Sequence, residues 1–302
     1  MLLRRLLDAP STWTALDRVA APVRDVVQAA PEGLRRVLHG AWLGHALHPV
    51  PAQLAVGCYT SAALVDAFAR TLPRAARPGA RAASTMLLAT GTAAALPSAA
   101  SGLTDWAELH EDQQRTGLVH AALTTAATAS ALVAVVRRLR HPLRGSDGAD
   151  AASFATLVLS GLGAAVGGHL AYRWAAGVNH VEDVTHTGPE DWVDLGASAD
   201  FVERRPTRAR AGGVDAVVLR VAGRLHAMAD RCSHLAAPLS DGEVVERDGQ
   251  VCLVCPWHGS TFTTDGEPVA GPATAPQPLF HVEEHDGRVR ARVVTLPGVA
   301  AS

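Results

Sequence analysis

Cys232-Ser-His234 and, after 20 intervening residues, Cys255-Pro-Trp-His258-Gly259 decide how the C-terminal third of this 302-residue chain is read. Each stretch pairs one thiol with one imidazole across a short loop, so the chain offers two thiolates and two ring nitrogens in two mixed clamps. Such a set can hold a zinc ion. It can also hold a binuclear iron–sulfur cluster in which two thiolates take one iron and two imidazoles take the other. A zinc finger brings a Cys–Cys pair and then a His–His pair, the latter on a helix. Here each clamp mixes the two ligand types and lies among short strands, which favours the cluster.

The surroundings read as all-β. Ala216–Val221 and Arg224–Ala229 alternate about an Ala222-Gly223 turn, and Asp248-Gly249 marks a second hairpin. Val251-Cys-Leu-Val leads a strand into the second clamp, and the segment from His281 closes the domain as a hairpin. Asp230-Arg-Cys-Ser-His-Leu, Cys255-Pro-Trp-His-Gly-Ser-Thr-Phe and Gly271-Pro-Ala-Thr-Ala-Pro-Gln-Pro, in that order, resemble the two cluster-binding loops and the proline-rich covering loop of the Rieske family. The resemblance implies a [2Fe–2S] cluster with Cys232 and Cys255 on the inner iron and His234 and His258 on the outer one. High-potential members of that family join the loops by a disulfide and offer Ser and Tyr hydroxyls to the cluster. Here Ala237 and Trp257 stand where the cysteines would be, Ser260 is kept, and Phe262 replaces the Tyr. The implied potential is therefore low, nearer the ferredoxin type. The chain ends soon after the closing strand, so an oxygenase subunit with its own 2-His-1-carboxylate iron is not expected.

The first half has a different composition. Hydrophobic residues make up 48% of the chain and aromatic ones only 4%, because alanine dominates. All 27 basic residues are arginine, set against 29 acidic ones, and a net charge of −2 gives no reason to expect nucleic-acid binding. Cys58 and Cys252 read as small buried hydrophobes. Apolar stretches at about 50–68, 84–103, 117–136 and 153–171 are each long enough to cross ~30 Å of hydrocarbon as a helix. Only Asp66 is charged among them, and it reads as wet at the far face. Gly163-x-x-x-Gly167 suits close helix packing. Leu47-His48-Pro49 and Ser101-Gly-Leu-Thr-Asp105-Trp106 resemble the DUF2231 family of membrane proteins, which implies architecture and little more. The resulting fold class is multidomain, an all-α four-helix transmembrane bundle followed by an all-β domain. The divisions are an amphipathic tail over 1–46, a membrane domain over 47–175, a linker over 176–190 and the cluster domain over 191–296. No signal-peptide apolar run follows Arg4-Arg5.

Arg70, Arg74, Arg77 and Arg81 lie between the first two spans, and Arg137, Arg138, Arg140 and Arg144 between the last two. Asp105, Glu108, Glu111 and Asp112 lie between the middle pair. The positive-inside rule puts the arginines in the cytoplasm and the cluster domain outside it. His48, Asp105, His110, His120 and His169 then share one end of the bundle, and His120 with His169 is the expected pair for a b-type haem or a quinone. The functional expectation is a membrane-anchored Rieske electron-transfer protein with lipid, redox proteins or quinone as partners. The alternatives are a quinol-oxidising or haem-bearing membrane enzyme, and a [2Fe–2S] redox sensor.

Overall fold

The computed structural model describes residues 2–141 and 147–295 and divides into two compact units. One comprises residues up to Ala30 with Leu47–Ala176; the other comprises Pro31–Ala46 with the chain from Gly177 onward. Arg144 and Leu296, included in the expectations above, lie outside the described residues.

The first unit is helical. Short helices α1 (Leu2–Asp8) and α2 (Asp17–Gln28) precede α4 (Pro49–Ala69), α5 (Arg77–Trp106), α6 (Glu111–Arg140) and α7 (Asp147–Trp174), while α3 (Glu32–His39) belongs to the second unit. Among the described residues, four helices are long and apolar enough to cross a membrane, over Pro49–Ala69, Arg74–Trp106, Glu111–Arg140 and Ala151–Trp174. Helix α6 shows why the ends fall where they do. His110 and Gln113 cap it reciprocally, Glu111 and Asp112 face the positive end of its dipole, and Arg137 and Arg140 sit at the negative end.

Side-chain size sorts inside from outside. Ala55, Tyr59, Ala62, Leu88, Ala94, Ala131 and Ala134 form the bundle core, whereas Phe68, Met86, Leu96, Leu139 and Phe154 point outward. Large apolar groups outside and small ones inside is the arrangement expected where hydrocarbon, not water, surrounds the helices, because close backbone approach then supplies the packing. Gly163 fits the same rule: a Cβ there would meet the Thr124 methyl at 2.8 Å.

Two sequence expectations change at the far end of this bundle. Asp66 is not wet: its carboxylate accepts from Arg138 at 2.5 Å, and Arg138 also donates to Ser84 Oγ at 2.8 Å. Arg138 is accordingly not a loop residue; it lies on α6 with its side chain 2% exposed. The helix runs past the apolar stretch, so the charge that seemed to flank the span is turned inward by helical periodicity to meet the one acid on α4.

In the second unit, strands β1 (Val193–Ala197), β10 (Arg288–Val293), β9 (Leu279–His285), β4 (Arg224–Ala229), β3 (Val214–Val221) and β2 (Thr207–Ala211) form one antiparallel sheet in that order. A second sheet has the order β5 (Glu243–Arg247), β6 (Gln250–Val254), β7 (Thr261–Thr263), β8 (Pro268–Ala270). Three two-residue hairpins, Ala222-Gly223, Asp248-Gly249 and Asp286-Gly287, place both central residues at positive φ, which matches strand twist. Helix α3 covers the edge strand β8: Arg36 donates to the Pro268 carbonyl at 2.9 Å and to that of Val269. The segment read as one tail over 1–46 thus divides at about Ala30. The segment read as a linker, 176–190, contains the short helix α8 (Val184–Thr187) and buries Val181 and Val184 in the core of the larger sheet.

Breaking the buried pair tests the bundle. Arg138→Leu strands the Asp66 carboxylate and lowers stability by ~3–5 kcal/mol, while Asp66→Leu/Arg138→Leu recovers most of it. Thermal unfolding of the full chain in detergent reads both; equal losses in the single and double variants would contradict the pairing.

Candidate metal centre

Two loops carry the candidate ligands. The first leaves β4 and spans 230–238; the second joins β6 to β7 over 255–260. Their ligand spacings differ, yet their backbones are built alike. The Cys232 amide donates to the Ala237 carbonyl at 2.8 Å and the Cys255 amide to the Ser260 carbonyl at 2.8 Å. The Cys232 and Cys255 carbonyls then accept from the amides of Ala236 and Gly259, four residues on. Those two residues are the ones at positive φ, +59° and +70°. Each loop therefore curls around its own cysteine in the same way, and sequence spacing gave no hint of it.

The curl aims backbone amides at sulfur. Cys232 Sγ accepts from the amides of His234 and Leu235, and Cys255 Sγ from those of Trp257 and His258. The two thiols also bond to each other. That bond, followed by burial and the neighbouring sulfur's charge, pushes Cys232 up. The hydrogen bond from Cys232 brings Cys255 down to about 7, against its own burial and with help from the amides of Trp257 and His258. Both cysteines are buried with Met228, Ala237, Leu253, Phe262 and Ala273. Cys58 and Cys252 are buried, as the sequence led one to expect.

The imidazoles sit differently. His234 and His258 are half-buried beside exposed Pro256, Trp257 and Gly259, with ring centres 5.1 Å apart and planes nearly perpendicular. Two rings bonded to one tetrahedral ion at ~2.1 Å have centres about 5 Å apart. Among the described residues, no three His, Cys, Asp or Glu side chains converge on one point. The four candidate ligands come as two pairs, thiols below and rings above, which fits a binuclear cluster better than one zinc ion.

Residues outside the clamps hold the loops. Asp230 is buried and accepts from the Ser240 amide at 2.6 Å, the Ser240 hydroxyl at 3.1 Å and Arg208 Nε at 2.7 Å. Arg231 forks onto Asp183 at 2.7 and 2.8 Å, and the His180 amide donates to the Ser233 carbonyl at 3.0 Å. The stretch before β1 therefore braces the first loop. Ser260 Oγ accepts the Ala273 amide at 3.1 Å and anchors the proline-rich loop. Gly271, at φ +77°, lies so close that a Cβ would meet Ser260 Cα at 2.6 Å. The motifs pointed to Asp230 and Ser260, but not to Asp183 or His180.

The histidines of the helical unit take other partners. His169 Nε2 bonds Asp8 Oδ1 at 2.8 Å and its ring lies against Trp174, whereas His120 bonds the Gly163 carbonyl through Nδ1 at 2.8 Å and faces His48. His120 and His169 are thus not a facing pair. The room expected at Gly163 and Gly167 is filled by the Thr124 side chain and the His120 ring itself. The structure therefore gives no support to a haem between them.

Comparison with known proteins agrees with this division. Residues 191–288 match the family described as "Rieske [2Fe-2S] domain", and residues 44–180 match "Predicted membrane protein (DUF2231)". The chain is 38% identical over 104 residues to the anthranilate 1,2-dioxygenase ferredoxin subunit of Burkholderia cepacia, covering 34% of this chain and 93% of that protein. It is 35% identical over 100 residues to ferredoxin CarAc of Metapseudomonas resinovorans, covering 32% of this chain and 90% of that one. A solved complex of reduced oxygenase and oxidised ferredoxin in carbazole 1,9a-dioxygenase aligns at 32% identity and a TM-score of 0.30, over 34% of this chain and 94% of that one.

Asp230→Ala is expected to cost ~1–3 kcal/mol, the penalty for leaving the buried Ser240 amide without an acceptor. Equilibrium unfolding of the full chain, followed by near-UV circular dichroism, measures it; an unchanged midpoint would remove Asp230 from its bracing role.

Proposed function

The chain belongs to the Rieske [2Fe–2S] family, and from that premise we propose that it is a membrane-anchored carrier passing single electrons between redox partners. The observation that carries the reading is the layering of the site: two buried thiols in mutual contact beneath two half-exposed imidazoles. Cys232 and Cys255 would hold the inner iron, and His234 and His258 the outer one. When bound, the cluster supplies one-electron redox chemistry. The chain's own groups set its conditions. Apolar walls from Met228, Leu253 and Phe262 exclude water, amides of four residues stabilise negative charge on sulfur, and the rings of His234 and His258 bring the outer pole to the surface.

Ser260 keeps its hydroxyl, bonded to the Ala273 amide, and Phe262 offers none. With Ala237 and Trp257 leaving the loops without a disulfide, this supports a potential at the lower end of the Rieske range. Two of the curated relatives are ferredoxins, one of them named as a subunit of a dioxygenase, which supports an oxygenase or reductase protein as the class of partner. Anchoring is supported by the four long apolar helices and their outward large side chains. The contrast between Arg70, Arg74, Arg77 and Arg81, about the end of α4 and the start of α5, and Glu111 and Asp112, at the start of α6, supports a cluster domain outside the cytoplasm.

An EPR-monitored redox titration in native membranes tests the reading. The expected result is a Rieske signal with a midpoint in the lower part of the range of about −150 to +300 mV. Cys232→Ser and Cys255→Ser should each abolish it with loss of iron and labile sulfide, while Phe262→Tyr should retain the signal and raise the midpoint. A wild-type midpoint at the upper end would overturn the ferredoxin-like assignment.

A further inference from the structure

We propose that His48 and His120 form a second metal site, in the helical bundle, that takes a single late first-row transition-metal ion, copper foremost. His48 caps the N-terminus of α4, and His120 lies on α6. Helix α4 packs chiefly on α5 and α6 on α7, with α5–α6 and α4–α7 contacts closing the bundle, so the two histidines reach toward each other across a diagonal. Their ring centres are 6.1 Å apart and their planes nearly perpendicular.

The other two helices hold the rings. His48 Nδ1 lies 2.8 Å from the Ser98 carbonyl of α5, and His120 Nδ1 lies 2.8 Å from the Gly163 carbonyl of α7. A carbonyl oxygen only accepts, so both Nδ1 atoms carry the proton. In the neutral ring this leaves the Nε2 lone pair outward, and neither Nε2 has a hydrogen-bond partner among the described residues. An imidazole that donates one N–H to a backbone carbonyl and presents its other nitrogen bare is the arrangement of a metal-ligating histidine. Two glycines make it possible. A Cβ at Gly102 would stand 2.5 Å from His48 Nδ1, and one at Gly167 would stand 2.9 Å from His120 Cε1. All four helices thus contribute to one cradle.

Ring separation selects the ligand. At a metal–nitrogen distance of ~2.0–2.1 Å, two rings on one ion have centres at most about 6.3 Å apart, and about 5 Å apart at a tetrahedral angle. The cluster-loop pair His234–His258, at 5.1 Å, sits at the tetrahedral value; His48–His120, at 6.1 Å, sits near the open limit. A wide angle with two imidazoles suits copper(I), which accepts near-linear two-coordination, and imidazole sites bind copper most tightly among these divalent ions as well. The flanking space is taken by the rings and by Thr124, so an ion fits where a macrocycle does not. His169 is outside the site, because its Nε2 is engaged by Asp8.

The test loads full-length protein, cluster included, with Cu(I) under reductant and counts copper and iron by mass spectrometry. A single copper per chain beyond the cluster iron is expected. His48→Ala and His120→Ala should each weaken copper binding at least tenfold, and His169→Ala should leave it unchanged. Gly167→Ala keeps both imidazoles but displaces one ring, and should weaken binding by roughly 10–100-fold. After oxidation, the Cu(II) EPR spectrum should show coupling to two nitrogens. Wild type that takes up no copper, uptake unchanged in the His48→Ala/His120→Ala double variant or in Gly167→Ala, or haem that co-purifies and is lost in these variants would each overturn the proposal. The iron count and Rieske signal follow the cluster independently, so failure at one site is distinguishable from failure at the other.

Discussion

Two thiols pressed together in an apolar pocket are the constraint around which the β domain is arranged. Ionising either of two neighbouring buried sulfurs is costly unless each is surrounded by donors, because burial disfavours the thiolate and the like charge of a neighbour disfavours it further. Each loop meets this locally by curling so that its own amides face sulfur. That curl needs a left-handed residue four positions after the cysteine, and Ala236 and Gly259 fill it. The rest of the domain holds the two curls side by side: Asp230 ties the first to Ser240 and Arg208, and Ser260 ties the second to the proline-rich loop.

The helical unit solves the opposite problem. Large apolar side chains cover its surface, and polar groups such as Ser84, Thr104 and Arg138 are buried among the small apolar residues of its interior. Small residues let the backbones approach, and this brings side chains on different helices within reach of one another's carbonyls. His120 with Gly163, and His48 with Ser98, arise in this way. Buried polar groups without partners are especially costly where no water can reach them, so such contacts fix helix register as well as adding stability.

Much of the β domain was legible in one dimension. Asn- or Asp-Gly-type turns dictate hairpins locally, so the strand pairs about Ala222-Gly223 and Asp248-Gly249 followed from short-range sterics. The family-specific loops announced the candidate ligands because their chemistry is carried by residue type. Span placement was legible too, since length and apolarity are local properties. Less legible was what happens at span ends. Arg138 looks like a loop arginine until the helix is extended by one turn, and Asp66 looks wet until its partner is seen. Val181 and Val184 read as part of a linker because two apolar residues carry no periodic signal, yet they fill the β core.

By itself the sequence determined the two-part architecture, the four-helix count of the apolar half and the four residues of the mixed clamps, because each depends on residue type and short spacing. Only the tertiary structure decided which side chains meet. It layered the thiols beneath the imidazoles, braced the first loop with Asp183, and turned His120 toward His48 and His169 toward Asp8. The physical reason is that such contacts depend on helix rotation and on the absence of a Cβ at Gly102, Gly163 and Gly167, and neither can be read until the elements are packed.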